Sequence, residues 1–118
     1  MSGIADRFAA LRRHGLSLPE AVEEFPWGHS ALKVRGKTFV FLNQSEEELS
    51  LSVKLPVSRD FALIFDWAEP TGYGLGRSGW VSARFGPNDE SDMELLQRWI
   101  VESYKAVAPK KLAATVAE

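Results

Sequence analysis

The chain has 118 residues, 45% apolar and 25% charged, which suits a single domain over residues 1–118 with a core of its own. Its formal charge of −2 excludes a protein that holds nucleic acid through bulk positive charge, so any such role must rest on local segregation of cations. The absence of cysteine excludes disulfides, thiolate metal sites and cysteine nucleophiles, and the lack of a membrane-length apolar run or a signal-peptide layout leads us to expect a cytoplasmic protein without membrane contact.

Ile4, Phe8 and Leu11 recur at helical spacing, and Gly15 is placed to stop that helix in a left-handed conformation. Ser17-x-x-Glu20 is a capping-box pattern, with Pro19 in the first turn and Leu18, Val22 and Phe25 on one side. It predicts a second helix that Pro26 ends. Strands are predicted near Ser30–Arg35 and Thr38–Asn43, joined by a two-residue Gly36-Lys37 loop. A polar turn, Gln44–Glu48, leads to a third strand at Leu49–Leu55, completing an antiparallel meander. Pro56 opens a predicted helix through Asp66, with Val57, Phe61, Ile64 and Phe65 facing inward. Glu69–Gly79, rich in glycine, reads as an irregular loop holding a short strand, and Trp80–Phe85 as a further strand. Ser91-x-x-Glu94 starts the longest helix, whose stripe is Leu96, Ile100, Ser103 and Val107 with Trp99 beside it. Pro109 ends it, and a final helical turn or a frayed end follows from Lys110. The predicted class is α+β in two layers: an antiparallel sheet of about five strands, helices on one face, in the order α-α-β-β-β-α-β-β-α.

Period-two alternation leaves the other sheet face polar and mildly cationic. Lys33 and Arg35 alternate with Leu32 and Val34; Ser50, Ser52 and Lys54 with Leu49, Leu51, Val53 and Leu55; Trp80, Ser82 and Arg84 with Val81, Ala83 and Phe85. Lys33, Arg35, Lys37, Lys54, Arg77 and Arg84 are therefore candidate phosphate contacts, with Trp80 as a stacking group. The competing reading is a solvated face of mixed charge, with Trp80 covered by the glycine-rich loop. Trp27 and His29, between helix and strand, are candidate ligand contacts or else seal the edge of the core.

Catalytic and cofactor motifs are missing. Tyr73-Gly74-Leu75-Gly76 lacks the Gly-Lys-Ser/Thr ending of a phosphate-binding loop, and no dinucleotide fingerprint occurs. Ser103 would need a base, and the histidines are His14 and His29 only. No metal-binding spacing occurs; Asp6, Glu20, Glu23 and Glu24 make only a thin acidic ridge of the kind that frataxin-type proteins use for iron.

Several pieces in fixed order carry a resemblance. Phe25-Pro26-Trp27-Gly28-His29 precedes Leu32-Lys33-Val34-x-Gly36-Lys37-x-Phe39, and Ser52-Val53-Lys54, Gly79-Trp80-Val81 and Glu102-Ser103-Tyr104 follow. Over about Ser17 to Leu112 the chain resembles the MmcQ/YjbR family of small bacterial proteins, often labelled DNA-binding. The resemblance implies a CyaY-like or secretion-chaperone-like α/β fold whose two hairpins form a double wing able to touch DNA. Many members carry a basic or histidine-bearing segment before the sheet tryptophan; here Gly76-Arg77-Ser78-Gly79 leaves Arg77 as its one cation. The expectation is a non-enzymatic, monomeric binding domain without metal or cofactor. It binds DNA weakly and in a salt-dependent way through Lys33, Arg35, Lys37, Lys54, Arg77, Trp80 and Arg84. The alternatives are a protein-interaction module and a small-ligand binder with its pocket between Trp27, Tyr73 and Trp80.

Overall fold

The computed structural model describes residues 3–25, 29–72 and 75–116. The chain runs α1 (Ile4–Leu16), β1 (Ala21–Glu24), β2 (Ser30–Val34), β3 (Lys37–Gln44), β4 (Leu49–Lys54), α2 (Arg59–Ala62) and β5 (Ala68–Pro70). A 3-10 helix (Leu75–Ser78), β6 (Trp80–Phe85), α3 (Met93–Val107) and α4 (Lys110–Ala113) complete it. All strand pairs are antiparallel, in the order β1-β2-β3-β4-β6-β5. Among the described residues no helix is long and apolar enough to cross a membrane.

Register explains the layering. Val40 lies opposite Val53 and Val53 opposite Val81, while Leu42, Leu51 and Ala83 form the next row. These rows project to one side, where α1 supplies Ile4 and Leu11 and α3 supplies Leu96, Trp99, Ile100 and Tyr104, all buried. Each such side chain withdrawn from water stabilises the fold by roughly 1.5–3 kcal/mol before entropy is counted. The predicted α+β class with helices on one sheet face is therefore present, with six strands rather than about five.

The additional strand is β1. Residues 17–25 were expected to be helical, but Ser17 Oγ donates back to the His14 carbonyl at 2.6 Å, closing α1, and Glu20 turns through a positive φ of 60°. The chain then pairs with β2, Ala21 opposite Val34. Pairing extends the sheet, and Glu23 is satisfied across layers by Arg12 at 2.6–2.9 Å and by Ser30 Oγ. Val22 and Phe25 are consequently exposed. Gly15 is no left-handed stop. It lies inside α1, where a Cβ would come 2.4 Å from Leu32 Cδ1, so its bare backbone lets the helix sit close on the sheet.

Smaller shifts follow the same logic. The β2–β3 loop is Arg35-Gly36, both at positive φ (51° and 81°), rather than Gly36-Lys37, and a bulge at Leu32/Lys33 against Phe39 follows it. The N-cap of α3 is Asp92, which accepts the Leu95 N–H; Ser91 instead receives Arg7. The expected helix from Pro56 to Asp66 shrinks to α2 and flanking turns. Ala62 is its buried residue, and Val57, Phe61 and Ile64 face outward instead of inward. In their place Phe65 stacks on Trp67 at 4.5 Å and approaches Trp99.

Candidate nucleic-acid interface

The face opposite the helices carries Lys33, Phe41, Ser52, Lys54, Trp80, Ser82 and Arg84, each one residue away from a core-facing neighbour. Its centre is uncharged. The hydroxyls of Ser52, Ser82 and Thr71 stand in a row at 2.7 and 2.9 Å, and the Phe41 and Trp80 rings lie 5.6 Å apart beside them. Trp80 is only 7% exposed. It therefore offers too little ring surface for a base to stack on, and the covered reading holds over the stacking one. The 3-10 helix lies against the start of β6.

Carboxylates already engage several of the expected cations. Lys33 Nζ is 2.9 Å from Glu24, and Arg84 lies 3.3 Å from Glu69 and 3.8 Å from Glu48. Glu20 takes Arg35 in a two-point contact. That contact holds the Glu20 carboxyl below its usual range and raises the guanidinium further. Among the described residues Lys37, Lys54 and Arg77 have no carboxylate within ion-pair distance. His29 is exposed beside β2, while Trp27 and Tyr73 lie outside the described residues.

Topology sorts these charges along the strands. The Arg35-Gly36 turn, Lys37 at the start of β3, Lys54 at the end of β4 opposite Trp80, and Arg77 just before β6 all lie at one end of the sheet. The C-terminal half of α3 reaches the same end, because Tyr104 Oη donates to the Pro19 carbonyl at 2.7 Å next to the start of β1. Lys105 follows Tyr104, and Lys110 and Lys111 open α4 just beyond. At the other end are Glu46, Glu47 and Glu48 in the β3–β4 turn, with Asp89, Glu90 and Asp92 in the β6–α3 connection. Gly86, in that connection, sits against the Glu47 carbonyl. Of the expected set, Arg84 belongs with this acidic end.

Ser103 is buried in the middle of α3, where its hydroxyl donates to the Phe39 carbonyl and accepts the Lys54 N–H at 2.8 Å. Both hydroxyl roles are occupied by backbone, so this serine fixes structure. The same bond pins the backbone of Lys54. Among the described residues no group of three or more His, Asp or Glu could hold a metal ion.

A family model matches residues 16–106, and its description is YjbR. The chain belongs to the YjbR family. Among curated proteins, no sequence matches it. The match covers most of this YjbR protein and includes Lys33, Arg35, Lys37, Lys54 and Arg77 but stops short of Lys110 and Lys111. Sequence reasoning did not single out Lys105, Lys110 or Lys111. Their signal was the lysine pair directly after Pro109, legible as part of the basic end only once α3 is known to run antiparallel to β6.

Proposed function

We propose that this YjbR protein is a non-enzymatic cytoplasmic domain that binds DNA weakly through its basic end, with Lys37, Lys54 and Arg77 as contacts and Lys105, Lys110 and Lys111 beside them. One observation carries the reading: in a chain of net charge −2, cations that have no carboxylate partner among the described residues gather at one end, and the acidic turns lie at the other. Lysines on a hairpin, a strand end and a short helix match phosphates as point charges, giving affinity with little sequence readout. Lys33 and Arg35 lie at the margin of this surface, each sharing its charge with a glutamate. Trp80 and Arg84 fall outside it.

Fluorescence anisotropy with duplex DNA, titrated between about 20 and about 200 mM salt, tests the reading. Three to five phosphate contacts give a log–log salt slope of about −3 to −4.5. Lys37→Glu with Lys54→Glu should abolish binding, Lys110→Glu with Lys111→Glu should weaken it, and Arg84→Glu should leave it unchanged. No binding at the lowest salt, or equal losses from all three variants, ends the proposal. A protein partner is the second reading, favoured by the outward Val57, Phe61 and Ile64.

A further inference from the structure

Among the described residues, the non-glycine positions at positive φ are Glu20 (60°) and Arg35 (51°). Side chains with a Cβ are disfavoured in this region, and such outliers persist where the surrounding structure fixes them, often at functional sites. Here the two are bonded to each other: Arg35 Nε and Nη2 donate to the two Glu20 carboxylate oxygens at 2.5 and 2.9 Å. Several bonds fix the backbone on the Glu20 side. Tyr104 Oη donates to the Pro19 carbonyl, the Ala21 N–H closes a turn onto the Leu18 carbonyl, and Ala21 lies opposite Val34. The fold therefore delivers a carboxylate into the basic end, onto an arginine two residues before Lys37.

A carboxylate and a phosphate offer the same pair of oxygens to a guanidinium fork. The pair stands in water, the Arg35 side chain 56% exposed and that of Glu20 49%. An exposed ion pair is held weakly and is screened by salt, so a phosphate can take the fork from it. Glu20 thus opposes a polyanion twice, by occupying Arg35 and by placing a like charge beside the incoming phosphate.

We propose that Glu20 stands in for a phosphate on Arg35 in the free protein and yields that arginine to DNA. Arg35 is then a phosphate contact held in reserve, and Glu20 limits the affinity of the basic end. This rests on the DNA reading and adds to it the residue that restrains it.

A double-mutant cycle tests it, by fluorescence anisotropy with duplex DNA at about 50 mM salt. Glu20→Gln keeps the side-chain length and removes the charge. It should tighten binding about two- to fivefold beyond any gain it gives in an Arg35→Gln background, the range in which exposed ion pairs fall. Glu46→Gln, in the acidic turn at the far end, should change nothing. Thermal melts of the variants should lie close to that of the parent, because the pair is exposed. Equal gains in the two backgrounds show simple relief of repulsion and overturn the inference, as does no gain at all. In both cases binding by the parent leaves the DNA reading standing. No binding by the parent or by any variant ends both.

Discussion

Replacing Ser103 by alanine removes one hydroxyl from a fully buried site. Ser103 is fully buried, and its Oγ bridges the Phe39 carbonyl of β3 to the Lys54 N–H of β4. The β3–β4 ladder ends at Val40 opposite Val53, one pair short of Phe39 and Lys54, so a helix side chain serves these backbone groups. In Ser103→Ala the Lys54 N–H loses its partner, at about 1–3 kcal/mol, and the Phe39 carbonyl adds about 1 kcal/mol. The sum is roughly 2–4 kcal/mol, a large share of the roughly 5–15 kcal/mol that holds a domain folded. Urea unfolding followed by tryptophan fluorescence should show the midpoint falling by about 1–2 M at unchanged slope. DNA affinity of the remaining folded protein should fall no more than a few-fold, since Lys54 keeps its side chain. A loss below about 0.5 kcal/mol would refute the bridging role.

Arg7 is buried and donates to the carbonyls of Gly3, Gly86 and Asp89 and to Ser91 Oγ, tying α1 to the β6–α3 connection. Arg7→Met should cost about 3 kcal/mol in chemical unfolding, and a midpoint equal to that of the parent would contradict this. Among the described residues His14 Nε2 is buried without a hydrogen-bond partner, and burial pushes the ring's pKa below the ordinary histidine value. The unfolded chain therefore takes up that proton at a higher pH than the folded one. Stability present above about pH 6.5 should decline as pH falls through the histidine range. Unfolding midpoints measured from about pH 7.5 to about pH 5 should show this slope, and His14→Leu should flatten it; a slope equally steep in the variant rejects the assignment. A second decline belongs at lower pH, as Glu20 and Glu23, held low by Arg35 and Arg12, take up protons.

The meander was legible because β-structure writes itself in steps of two: Leu49, Leu51 and Val53 are buried as their spacing requires, and Ser50, Ser52 and Lys54 face away. The stripe of α3 was equally plain. Residues 17–25 misled because a capping box is local chemistry, whereas β1 exists through pairing with β2 and through Arg12 reaching Glu23 from another layer. In Val57–Ile64 the spacing grouped the right residues on one side. Periodicity says which residues share a side, not which way that side faces. The cations of the candidate site could be named from sequence, but their pairing with Glu20, Glu24, Glu48 and Glu69 depends on registers that only the folded sheet supplies.

Sorting opposite charges to the two ends of six-residue strands separates them by about 20 Å. At physiological ionic strength, fields die away over about 8 Å, so a phosphate at the lysine pole scarcely senses the glutamates behind it. In about 0.01 M salt the reach extends to about 30 Å, and the far pole then pushes back. On the proposed DNA-binding reading, the protein's dipole would then turn it hairpin-first toward a duplex on approach.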